Sequence, residues 1–190
     1  MKNNKDFDFD ISANEKIELG LLNNHVHFLT GEIDEDNIED AIKWIVYENL
    51  SGTNKLLTLY INSDGGVLTD ALALIDVMRS SQHPIRTIGL GSVVSAAFLI
   101  FTSGTKGQRL IYPNTSIMCH QYSAEIAGKH HDIKSHFTES ELMNTRMVSV
   151  LQKNSEMDVR TIKNKLLSAT DAWLTPAQLI EFGLADKLLT

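Results

Sequence analysis

Four short apolar runs, each closed by turn residues and each followed by a helix-period pattern, restrict this chain to a layered α/β fold. His25 to Leu29 alternates as a strand ending at Thr30-Gly31, and Asp34 or Asp36 caps a helix carrying Ile38, Ala41, Ile42, Ile45 and Val46. Leu56 to Ile61 is a compact strand stopped by Asn62-Ser63-Asp64-Gly65-Gly66. Leu68, Ala71, Leu72, Ile75 and Met78 then mark a second helix. Pro84 to Leu90 is a third strand leading to the apolar helix that begins near Ser95, and Thr115 to Cys119 is a fourth, delivering His120. This alternation calls for a parallel sheet covered by helices, with the functional site where strands run out into helices.

At 190 residues the chain suits one domain with a sizeable core. Residues 1–20 are polar and read as an irregular arm, in which Phe7, Phe9 and Ile11 are the only strand-like hint. Residues 131–154 read as one long helix with a thin apolar stripe, an element suited to packing against a copy of itself. Thr175-Pro176-Ala177-Gln178 is a capping box with proline at the first helical position, and Gly183 ends that helix. A net charge of −7 excludes a partner bound mainly through nucleic-acid phosphates. The longest apolar run, Val93 to Phe101, is about half a bilayer span, and the polar N-terminus lacks a secretory pattern, so a cytoplasmic setting is expected. Cys119, the single cysteine, excludes an internal disulfide; in an apolar strand it reads as packing rather than as a catalytic thiol.

Ser95 and His120 are the candidate chemistry. A serine hydroxyl is a poor nucleophile until an imidazole takes its proton. It also needs a turn that presents the oxygen where backbone N–H groups can hold an oxyanion. Gly91-Ser92-Val93-Val94-Ser95, followed by small residues opening a helix, has that shape, although the Gly-x-Ser-x-Gly elbow is absent. By spacing alone, Ser95 as a helix cap and His120 as a strand-closing histidine remain open. His25 with His27, and His130-His131 with His136, read as surface or interface histidines, because no pair stands at helical i, i+4 ligand spacing.

Ile61 to Gly66, Gly91 to Phe98, Tyr112-Pro113-Asn114, Met118-Cys119-His120-Gln121 and Glu181-Phe182-Gly183-Leu184-Ala185-Asp186 occur in order. In these motifs the chain resembles the proteolytic subunit of the Clp ATP-dependent serine protease, from about residue 20 to the C-terminus. The resemblance implies a crotonase-like α/β fold of repeated β-α units. Residues 21–190 would form one peptidase domain, with a protruding handle over about 123–154 used in ring assembly. It implies Ser95 as nucleophile, His120 as general base and Asp171 as the carboxylate that orients the imidazole. The backbone N–H groups of Gly66 and Ala96 would be the oxyanion donors, with Gly65 and Ile126 beside the substrate. The implied activity is cleavage of peptides and unfolded proteins without metal or organic cofactor, in a homo-oligomeric ring (a heptamer, alone or stacked as a double ring) served by an AAA+ unfoldase. No Gly-x-x-x-x-Gly-Lys-Ser/Thr occurs here, so ATP would be used by that partner.

The departures fall at identifiable places. Asp64 replaces the proline of the family's Ser-Pro-Gly-Gly, and Tyr122 replaces the proline after His-Gln. Ser123 to Gly128 stands for the glycine-rich substrate strand. Thr170 replaces an arginine that helps join two rings, and Phe7 to Ile11 lacks the basic axial-loop pattern. A second expectation is therefore a weakly active or inactive ring subunit that modulates another Clp-type protease. A third, an acyl-CoA-binding crotonase, would share the fold and need no Ser-His-Asp set.

Overall fold

The computed structural model describes residues 12–52 and 54–190. Its centre is a mostly parallel sheet of β1 (Val26–Ile33), β2 (Leu57–Gly66), β3 (Ile85–Val94), β4 (Arg109–Ile111) and β7 (Lys187–Leu188), in that order. β5 (Ser116–Cys119) pairs in parallel with the far end of β3, and β6 (Ala172–Leu174) pairs antiparallel with β5. The expected α/β architecture is therefore present, with one antiparallel edge.

The helices follow the apolar spacing. α2 (Glu35–Leu50) starts at Asp34, whose carboxylate accepts the Asn37 N–H at 2.9 Å, and buries Ile38, Ala41, Trp44 and Ile45. α3 (Leu68–Ser80) buries Leu68, Ala71, Leu74, Ile75 and Met78. α4 (Ala96–Thr102) is buried along its whole length, as the apolar run from Ala96 to Phe101 requires. α5 (His130–Asn154) joins the core only through Met143, Met147, Val150 and Leu151, so its first half stands clear of the domain, as a handle would. α6 (Val159–Lys165) and α7 (Pro176–Glu181) close the C-terminal part.

Several boundaries differ from the sequence reading, each for a physical reason. Of the expected irregular arm at 1–20, residues 13–20 belong to a helix, α1 (Ala13–Asn23). Ser12 and Glu15 cap it reciprocally, at 3.3 and 2.8 Å, a signal present in Ser12-Ala13-Asn14-Glu15. α1 buries no residue, which is why apolar periodicity did not reveal it. Phe7, Phe9 and Ile11 lie outside the described residues. β1 continues past Thr30-Gly31, because Gly31 (φ 87°) absorbs a register shift and Glu32 and Ile33 pair again with Gly65 and Gly66. β2 likewise runs through Asn62 to Gly66 instead of stopping there, held between β1 and Val93 of β3.

A buried cation fixes the far end of the sheet. Arg109, 1% exposed, grips Asp186 through Nε (2.9 Å) and Nη2 (2.6 Å) and donates Nη1 to the Asn154 carbonyl at 2.6 Å. Burial alone would raise the Asp186 carboxyl pKa. The Arg109 hydrogen bonds outweigh it and hold the group below the ordinary carboxylate range. β4, the end of α5 and the Glu181–Asp186 motif are thereby joined.

Candidate active site

The β3–α4 junction bends so sharply that Ser95 takes φ 57° and ψ −122°, a left-handed conformation that a serine adopts only when its surroundings impose it. Three contacts impose it. Ser95 N–H donates to the Met118 carbonyl at 2.9 Å, pinning the turn to β5 two residues before His120. Val94 pairs with Met118 in the β3–β5 ladder. Gly65 packs beneath the turn: a Cβ there would lie 2.7 Å from Ser95 Cβ, 2.9 Å from the Val94 oxygen and 3.0 Å from Ala96 N.

Ser95 Oγ and His120 Nε2 are hydrogen-bonded at 2.7 Å. A hydroxyl so placed can pass its proton to the ring as the oxygen attacks an electrophile. Ala96 is the first residue of α4, so its N–H has no acceptor within the helix. The Gly65-Gly66 strip runs alongside it. Gly66 (φ 150°) owes its glycine to the opposite side: a Cβ would sit 2.3 Å from the Ile33 oxygen of β1. The close approaches that require glycine are thus to β1 at Gly66 and to the nucleophile turn at Gly65.

Asp64, the departure from the family's proline, accepts a hydrogen bond from Ser92 Oγ, and Asn62 Oδ1 accepts the Ser92 N–H at 2.9 Å. Side-chain ties therefore hold the strand entering the turn, in place of the φ restriction a proline would supply.

The other expected residues are placed differently. Asp171 lies in an exposed turn, where Ser168 Oγ donates to the Thr170 carbonyl at 2.7 Å. Pairing of Cys119 with Ala172 makes His120 and Asp171 the next opposed positions beyond the antiparallel β5–β6 ladder. No hydrogen bond joins the Asp171 carboxylate to His120 among the described residues; β6 begins only at Ala172, and before it no ladder draws the side chain inward. Ile126 is 39% exposed in an irregular segment and does not line the cavity at Ser95.

That cavity is small, about 40 Å³, and its walls include Leu68, Ser95, His120, Tyr122 and Met147. Met147 is a wall residue that the sequence reading assigned to interface packing. Its place in the stripe with Met143, Val150 and Leu151 is the ordinary signature of core, and nothing in the spacing separates the two roles. Cys119 is 1% exposed, and burial pushes its thiol up to about 12, against a small opposing backbone hydrogen bond from His120. It stays protonated and packs.

The Clp protease family model matches residues 8–190, almost the entire sequence. The chain belongs to the Clp protease family. It is a peptidase of the kind formed by Clp proteolytic subunits, and its mixed α/β sheet agrees with that fold. No helix among the described residues is long and apolar enough to cross a membrane.

Proposed function

We propose that this chain is the subunit of a self-compartmentalising serine endopeptidase that cleaves peptides and unfolded chains through an acyl-enzyme on Ser95. The 2.7 Å bond between Ser95 Oγ and His120 Nε2, on a strained turn at a helix start, carries the reading. In the first step Ser95 Oγ bonds to the scissile carbonyl carbon while its proton passes to His120. The N–H groups of Gly66 and Ala96 receive the carbonyl oxygen as it becomes negative. His120 then protonates the leaving amine as the C–N bond breaks, and water repeats the sequence to release the acyl group. Asp171, from the position opposite His120 beyond the β5–β6 ladder, is the carboxylate that steadies the imidazolium once its side chain turns toward the ring.

Ring assembly rests on α5. Ile133 and Phe137, four positions apart on α5 and 46% and 59% exposed, give its free half an apolar face that calls for a partner surface. A second copy of the same helix is the simplest cover, an isologous two-fold contact of the kind that would join two stacked rings. Exposed Phe28, stacked at 4.8 Å on the half-buried Tyr60, gives a further apolar surface on which an unfoldase could dock. Compartmentalisation in a cytoplasmic ring would keep such a nucleophile from folded proteins.

The disengaged Asp171 favours a second reading, a ring subunit of low intrinsic activity that modulates another Clp-type protease. One experiment separates the two: hydrolysis of a fluorogenic peptide by the purified chain, by Ser95→Ala and by His120→Gln. Turnover that both substitutions abolish supports the endopeptidase. No turnover by the parent, together with altered turnover when it is mixed with a second Clp-type subunit, supports the modulator.

A further inference from the structure

The chain segments that carry the base and the carboxylate are joined by a side chain with no assigned role. Gln121, the residue after His120, extends across the gap and donates Nε2 to the Leu167 carbonyl at 2.8 Å. Leu167 is itself anchored. Its side chain is buried beside Leu166, and its N–H donates to the Ile162 carbonyl at 3.0 Å, so the bond ties β5 to a fixed point on the segment leading to Asp171. One residue further on, Tyr122 N–H donates to Asn144 Oδ1 at 3.1 Å, fastening the same stretch to α5. A cavity of about 450 Å³ opens between these ties and is walled by Gln121, Asn144, Lys163, Asn164, Ser168 and Ala169, among others. The segment at 163–169 thus borders open space into which it can relax.

We propose that Gln121 is a positioning residue for the catalytic pair: by holding the Leu167 carbonyl, it keeps the Asp171 end of the antiparallel β5–β6 pair beside His120. The inference rests on the reading of Ser95, His120 and Asp171 given above. The β6 ladder is only three residues long and begins at Ala172, so it constrains Asp171 from its C-terminal side only. Gln121 supplies the constraint from the other, because Leu167 lies four positions before Asp171 in the chain. An amide is suited to this role, being neutral, adding no charge beside the imidazole, and having a donor to match a carbonyl. Its effect on catalysis runs through His120 and Asp171 and not through contact with the reacting carbonyl.

The test uses the full-length protein labelled with isotopic histidine, as parent, Gln121→Met, Asp171→Asn and the double variant. Methionine keeps the length of the side chain and removes the donor, and thermal unfolding checks that each variant is folded. Proton spectra follow the His120 Nδ1–H, which a carboxylate partner moves far downfield and protects from exchange. The rate of Ser95 phosphonylation by a fluorophosphonate is measured alongside. The downfield signal is expected in the parent, lost in Asp171→Asn, and lost or strongly broadened in Gln121→Met. Phosphonylation should fall by up to about 100-fold in Gln121→Met, and the double variant should be no slower than Asp171→Asn alone. A parent-like signal in Gln121→Met, losses that multiply in the double variant, or no downfield signal in the parent would each overturn the inference. If Ser95 resists the reagent while the signal behaves as expected, the endopeptidase reading fails and the positioning role stands.

Discussion

Replacing Gly65 with alanine probes the nucleophile turn from beneath. Two separable costs follow from its position. The backbone at φ 97° is unfavourable for any residue with a Cβ, at about 1–2 kcal/mol. The new methyl would also lie 2.7 Å from Ser95 Cβ and 2.9 Å from the Val94 oxygen, contacts that force a shift worth about 1–3 kcal/mol in a packed region. The sum, about 3 kcal/mol, lowers the unfolding midpoint by roughly 6–12 °C in a chain of this size. Gly107→Ala is the control, because its φ is 86° but nothing lies within 4 Å of the added Cβ. It carries only the backbone cost, roughly 2–4 °C per kcal/mol. The two variants should differ more in chemistry than in stability. The Gly65 methyl pushes on Ser95 itself, and a displacement near 1 Å costs about 100-fold in reaction rate. Calorimetry together with the fluorophosphonate labelling rate reads both effects. Equal labelling rates in Gly65→Ala and Gly107→Ala would refute the claim that Gly65 braces the nucleophile.

Asp186→Asn leaves the Arg109 guanidinium buried without its counter-charge and should cost about 3 kcal/mol at neutral pH, read by denaturant titration. Because the folded carboxyl pKa is depressed, this contribution is complete above the unfolded value near 4 and fades as pH falls through the folded one. Parent and variant should therefore converge in strong acid, and a gap that widens there would contradict the assignment. Phe137→Glu places a charge on the exposed face of α5. It should shift the assembly toward smaller species in analytical ultracentrifugation with little change in far-ultraviolet circular dichroism, and an unchanged mass would show that this face is not an interface.

Much of the layered fold was legible because Leu57, Leu59 and Ile61 and the α3 stripe are spaced by burial, which periodicity reports directly. The short elements were not. β4, β6 and β7 span two or three residues each, too few to show a period. α1 announces itself only through its cap, since nothing on it is buried. The stop read at Asn62 to Gly66 failed for a different reason: these are turn residues in isolation, but neighbouring strands on both sides keep them extended.

At the site, Ser95 and His120 were readable as two separate motifs, and the structure joins them through a strand register that sequence distance conceals. Asp171 could be named only by resemblance. Its relation to His120 depends on a three-residue antiparallel partner strand distant in sequence and on the Gln121 tie, neither of which leaves a periodic trace. Gly65 and Gly66 illustrate the same limit. Both are evident as glycines, but only the packing shows which neighbour forbids a side chain at each.

Whether Ser95 is an activated nucleophile is the central question, and intact mass after incubation with a fluorophosphonate tests it most directly. One phosphonyl adduct per chain is expected in the parent, mapped to Ser95, and none in Ser95→Ala. An unmodified parent, or an adduct that persists in Ser95→Ala, would contradict the assignment of Ser95 as the nucleophile.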